Sequence, residues 1–156
     1  ASSRFDKNLV RGKQTALNAG THYDIISREM PLFSVMAMPA EGVKTDTLIA
    51  QLRQEIKDIA DNGVSEEELQ RVKTQAAVSE IYAKDSMSSQ ASMMGRLEAR
   101  GFQYTDEQEI HRRLQAVSAQ EVQAAARMLT DERMSTVIIE PQKPAASPSK
   151  KAAKRR

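Results

Sequence analysis

The spacing of apolar positions changes several times along the chain, and each change marks an element. Phe5, Leu9 and Val10 fall on one side of a short helix over residues 3–13. The period then drops to two. Leu17, Ala19, Thr21 and Tyr23 share one face of residues 16–23, and Ala16, Asn18, Gly20 and His22 share the other, as in a half-buried strand. Residues 24–31, DIISREMP, form a connection that Pro31 ends. A second, more apolar strand, LFSVMAM over 32–38, is closed by Pro39 and Gly42. The simplest pairing of the two is an antiparallel hairpin with a long loop.

Helical periodicity takes over beyond Gly42. Leu48, Leu52, Ile56 and Ile59 recur at helix spacing in residues 44–62, and Gly63 stands where a stop belongs. Ser65 with Glu68 forms a capping-box pattern, in which the hydroxyl accepts from the third helical amide and the acid reaches back. It opens a long helix to about residue 84, with Leu69, Val72, Ala76 and Ile81 as its stripe and a bend at Asp85 and Ser86. Met87, Ala91, Met94 and Leu97 carry the pattern on to Gly101. Thr105 with Gln108, and Ser118 with Glu121, repeat the capping pattern ahead of helices over 106–116 and 119–129. STVII over 135–139 reads as a last strand, after which Pro141 begins a tail.

Segregated elements in this order predict an α+β fold, a mostly antiparallel sheet with helices packed on one face. Three strands make a thin sheet for so much helix, and its edges are open. With a start at Ala1 rather than Met, this leads us to expect a processed or truncated piece whose first strand and helix lie upstream or come from another chain. Residues 1–140 then form one domain, incomplete at its N-terminus, and 141–156 a disordered tail.

Composition sharpens this picture in two places. With 4% aromatics and no Trp, the core must be aliphatic, with the eight methionines filling gaps. Charge is unevenly distributed. PQKPAASPSKKAAKRR, the last sixteen residues, holds six basic residues and no acid, which leaves 17 basic against 21 acidic residues in the rest of the chain. Such a tail suits nucleic acid or an anionic membrane surface, or it is simply a solvated terminus. The net acidic body argues against nucleic acid as a partner. The absence of cysteine rules out a disulfide framework and thiolate metal sites, and no apolar run reaches the length of a membrane span.

Candidate chemistry is sparse. The two histidines, His22 and His111, lie 89 positions apart, and neither H-E-x-x-H nor H-x-x-E-H occurs. Glu107 and His111 are one helical turn apart and offer one face to a zinc, but two ligands make a weak site; a solvated helix histidine is the alternative. His22 is a ligand, a base, or a residue of the sheet surface. No G-x-S-x-G elbow or glycine-rich phosphate loop is present. The carboxylates at Glu66–Glu68 sit at a helix N-terminus, where the dipole favours them. Asp85 to Gly95, DSMSSQASMMG, is a core stripe or a soft binding surface.

The ordered series SSRFDKNLVRGKQTALNAGTHYD, LFSVMAMPAEGV, LRQEIKDIADNGVSEEELQRVKTQ, GRLEARG and LQAVSAQEVQAAARMLTDERMSTVIIEP resembles the insulinase/pitrilysin-type zinc metallopeptidases, which include mitochondrial processing peptidases and bacterial homologues. The likeness spans about residues 2–141 and points to the later part of the family's C-terminal domain. It implies an α+β clamshell half. The first half of such enzymes carries zinc on H-x-x-E-H plus a downstream glutamate; the second lacks that motif and touches substrate. This chain is accordingly expected to hold no cofactor and to be inactive alone, with zinc on an N-terminal domain or partner chain and a peptide as substrate. Homo-oligomerisation through open edges is a further expectation. Resemblance to bacterial members implies a periplasmic or cell-envelope location, with the cytoplasm as the other option.

Family members often place a tyrosine six or seven residues after an arginine, and the pair holds substrate near the zinc. Arg11 matches the arginine; Leu17 and Asn18 stand at the tyrosine positions, and Tyr23 lies twelve residues on. The resemblance makes Arg11 the one substrate-binding residue of the chain, with no catalytic and no metal-binding residue. A cation closing a helix end is the other reading of Arg11. A non-catalytic structural or assembly subunit of the same superfamily is the alternative for the whole protein.

Overall fold

A computed structural model describes residues 3–140 of the chain; the basic tail expected over 141–156 lies outside the described residues. A short π-helix, Asp6–Gly12, leads into two antiparallel strands, β1 (Ala16–His22) and β2 (Ser34–Pro39). Five helices follow: α1 (Thr45–Asn62), α2 (Glu66–Lys84), α3 (Met87–Ala99), α4 (Asp106–Ala116) and α5 (Ala119–Arg127), before a single 3-10 turn at Asp131–Arg133. The architecture is α+β, as the sequence predicts, and every helix start from α1 onward falls within a residue or two of its expected position.

Strict alternation in β1 is broken by a bulge. Ala16 pairs with Pro39 and Asn18 with Met38, so Leu17 is an extra residue on β1. Ala16 and Ala19, which alternation assigns to opposite faces, therefore both face the core, while Leu17 is pushed out and 60% exposed. The core itself is small and aliphatic apart from one ring. Phe5 and Leu9 of the opening segment, Ala16 of β1 and Leu48 of α1 are buried together, with Val35, Ala37, Leu52 and Ile56 packed around them. Helices thus cover one face of the hairpin, and Met36 and Met38 lie exposed with Leu17.

Polar bonds lock the remaining joints. Gly63 takes φ +73°, a left-handed conformation that glycine adopts without steric cost, and its N–H donates to the Ile59 carbonyl to end α1. Arg127 Nε and Gln123 Nε2 of α5 donate to the Ala60 carbonyl at 2.9 and 3.1 Å, so α5 closes the C-terminal turn of α1. The long β1–β2 connection is pinned to the end of α3. Arg100 pairs with Asp24 and also donates to the Ile26 carbonyl at 2.8 Å, and Ile26 itself is buried. The same contact holds the Asp24 carboxyl below its ordinary range, chiefly through the Arg100 hydrogen bond and then the Ile26 amide.

Four local expectations fail. Residues 135–139 form no strand: they pair with no described strand, and Val137 and Ile139 are exposed. Their β-branched content favours an extended chain, but a strand requires a partner edge, and the described sheet has only β1 and β2. Thr105 is helical and makes no cap; the Asp106 carboxylate accepts from the Gln103 amide at 2.8 Å instead. Glu68 does not reach back to its cap, because Arg4 has taken its carboxylate. Met87, Ala91 and Met94 are exposed, not core; of that stripe only Leu97 is buried, and Val72 and Ile81 of α2 are exposed too. No element described here covers these outer faces of α2 and α3.

Candidate functional site

Arg11 sits on the opening helix, whose register sets its surroundings. Lys13 N–H donates to the Asn8 carbonyl, five residues back, the hydrogen bond of a π-helix. That wider turn brings residues five apart alongside each other, and Arg11 Nη2 donates to Asp6 Oδ2 at 2.6 Å. The Arg11 side chain remains 62% exposed. The cation in the last turn thus faces solvent while one carboxylate holds one of its nitrogens, an arrangement that orients a guanidinium without burying it.

The helix carrying Arg11 is fastened on two sides. Toward α1, Asn8 Nδ2 donates to the buried Glu55 at 2.6 Å, and Thr15 Oγ1 donates to Gln51 at 2.5 Å. Toward α2, Arg4 grips Glu68 with both Nε and Nη2, at 2.8 and 2.7 Å. This fork-to-fork bond holds Glu68 below the usual carboxylate range and raises Arg4, each chiefly through the shared hydrogen bond. A polar cleft of about 520 Å3 opens here, lined by Arg4, Lys7 and Asn8 on one side and Ser65, Glu67, Glu68 and Arg71 on the other. It holds charge of both signs.

The histidines separate. His22 lies at the exposed end of β1, and Tyr23 beside it is half exposed. Among the described residues, one group of three metal-ligating side chains converges: Glu80, Glu107 and His111. The sequence pairs Glu107 with His111; Glu80, on α2, is the member it gives no hint of, because 27 positions and two chain reversals separate it from Glu107. Perturbed acidity is found elsewhere, and it marks no site. Glu109 is pushed down to about 2 by hydrogen bonds from Arg112 and then Arg113, an exposed ion triplet on α4. H-x-x-E-H does not occur in the given sequence. Among the described residues no helix is long and apolar enough to cross a membrane.

Comparison with known proteins gives a family match and a structural likeness. Residues 1–76 match the family model described as the peptidase M16 inactive domain. A crystal structure of a protease from Helicobacter pylori superposes with a TM-score of 0.72 at 17% sequence identity, covering 81% of this chain and 30% of that one. The likeness at this identity is one of fold, and the chain spans less than a third of that protease. No curated protein matches the chain. The domain type implies a partner domain and is consistent with a chain that holds no cofactor of its own. The matched segment contains the Arg11 helix, the hairpin and α1 with the start of α2, and over these residues the chain is similar to the M16 inactive domain, while the fold shared with the protease extends over 81% of the chain.

Proposed function

We propose that this domain is the zinc-lacking half of a zinc-dependent metalloendopeptidase, closing over an extended peptide and positioning it for hydrolysis at zinc held by another domain or chain. The match of residues 1–76 to the inactive domain is the observation that carries this reading. Zinc supplies a polarising Lewis acid and an activated water when bound elsewhere in the assembly. This chain contributes position and exclusion of solvent. Arg11, exposed and steered by Asp6, donates to a substrate carbonyl or carboxylate, and its anchored helix keeps that donor in place. The open edges of the hairpin offer main-chain bonds to an extended peptide, with little demand on its side chains. By likeness to bacterial members, the protein acts in the periplasm or cell envelope, which fractionation of the source cells would check.

Arg11→Ala in the full-length enzyme should lower kcat/KM by about tenfold or more while leaving thermal stability within about 0.5 kcal/mol, since the lost ion pair is at the surface. Unchanged kinetics would assign Arg11 to the helix end alone. One observation favours a second reading, a non-catalytic structural or assembly subunit. The positions where the family tyrosine is expected are occupied by Leu17, extruded on the bulge, and by Asn18. The presence of H-x-x-E-H in the rest of the protein, or in a subunit that co-purifies with it, separates the two readings.

A further inference from the structure

We propose that Glu80, Glu107 and His111 bind one divalent transition cation of the borderline-soft class represented by Zn2+, tying α2 to α4. The site is independent of the function proposed above.

Two helices build it. Glu107 and His111 share a face of α4 one turn apart, and Gln115 Nε2 donates to the Lys73 carbonyl at 3.1 Å, fixing the register in which Glu80 of α2 faces His111. His111 Nδ1 lies 3.0 Å from Glu80 Oε2, and His111 Nε2 lies 3.8 Å from Glu107 Oε1. One ligand atom from each of the three falls within 4.8 Å of the other two. Donors about 2.1 Å from a tetrahedral zinc stand about 3.4 Å apart, so the group needs to contract by roughly 1 Å, a rotamer adjustment of partly exposed glutamates.

The donor chemistry around the ring also suits a cation. A neutral imidazole has one N–H and one lone pair. That lone pair can be given to a cation that the flanking carboxylates also reach. The side chains of Glu80, Glu107 and His111 are 20%, 32% and 26% exposed, shielded yet open enough for water to complete a coordination shell. The group brings two carboxylates, and Lys84 Nζ donates to Glu80 Oε1 at 2.5 Å and leaves Oε2 turned to the histidine. One imidazole with two carboxylates selects transition ions over Mg2+ and Ca2+, which prefer all-oxygen shells.

The test is calorimetric titration of the 156-residue chain with Zn2+, with Mg2+ as comparison, on wild type and five variants. We expect about one Zn2+ per chain with micromolar affinity, weakened at least about tenfold in Glu80→Gln, Glu107→Gln and His111→Gln and unchanged in His22→Gln. Lys84→Met should tighten binding by about tenfold, the effect of removing a unit charge roughly 6 Å from a divalent ion in high dielectric. Because that change is a gain, unfolding cannot mimic it, and far-UV circular dichroism checks the helices of the others. Failure to take up Zn2+ at about 100 μM would overturn the proposal. So would uptake that survives His111→Gln, or Mg2+ bound as tightly as Zn2+.

Discussion

Removing the fork between Arg4 and Glu68 should loosen the Arg11 helix from α2, and its size can be worked from geometry. Two charge-assisted hydrogen bonds, at 2.8 and 2.7 Å, join side chains 29% and 25% exposed. Hydrogen bonds to charged groups contribute about 1.5–3 kcal/mol net when sheltered, and exposed ion pairs under about 1 kcal/mol. A partly sheltered bidentate pair falls between, at about 1.5 kcal/mol of coupling. For a chain of this size that is a Tm shift of about 3–6 °C. The assay is a double-mutant cycle with Arg4→Met and Glu68→Gln, followed by urea unfolding. A coupling below about 0.5 kcal/mol would refute the reasoning. The pH dependence has a fixed sign. Glu68 is depressed in the fold, so the stabilisation is complete above the ordinary carboxylate range and disappears as pH falls through the depressed value. Arg4 is raised, which carries its own contribution through neutral and mildly alkaline pH. A coupling that grew on acidification would contradict the assignment.

Two further substitutions probe the core and the caps. Leu9→Ala, at a fully buried position between the hairpin and α1, should cost about 3 kcal/mol; a loss under about 1 kcal/mol in urea unfolding would mean that the opening helix is not integral to the core. Ser118→Ala should remove about 1 kcal/mol by breaking the reciprocal bonds between Ser118 and Glu121, visible as a Tm lower by about 2–4 °C, and a neutral result would show that α5 is held by α1 alone.

What could be read from the sequence was whatever depends on near neighbours. Capping serines, the Gly63 stop and helical spacing act within four or five residues, so α1 to α5 were visible in the letters. The bulge at Leu17 was not, because it is decided by which residues of β2 stand opposite. Ser65 and Glu68 illustrate the same divide: the hydroxyl cap is local and forms, while the return bond loses to Arg4, 64 residues away in sequence. The strand read over 135–139 failed for a related reason, since propensity can extend a chain but cannot provide the edge it pairs with. Met87, Ala91 and Met94 have the spacing of a buried stripe, yet burial depends on a covering element rather than on the helix itself. Arg11 is a candidate through the resemblance alone, whereas its Asp6 partner depends on the π register, and Glu80 on the packing of α2 against α4.

The π register has a consequence for insertions and deletions. In an α-helix each residue turns about 100°, so side chains five apart point about 140° away from one another. Deleting one residue between Asp6 and Arg11 leaves them four apart, adjacent on an ordinary α-helix, so the ion pair can survive the change. The phase of Phe5 relative to β1 survives with it, because a π turn that loses one residue closes as an α turn and leaves the upstream side chains pointing as before. A homologue with a segment one residue shorter is therefore expected to keep both the charged pair, now four apart, and the apolar residue just ahead of the acid, a pattern that can be read directly from related sequences.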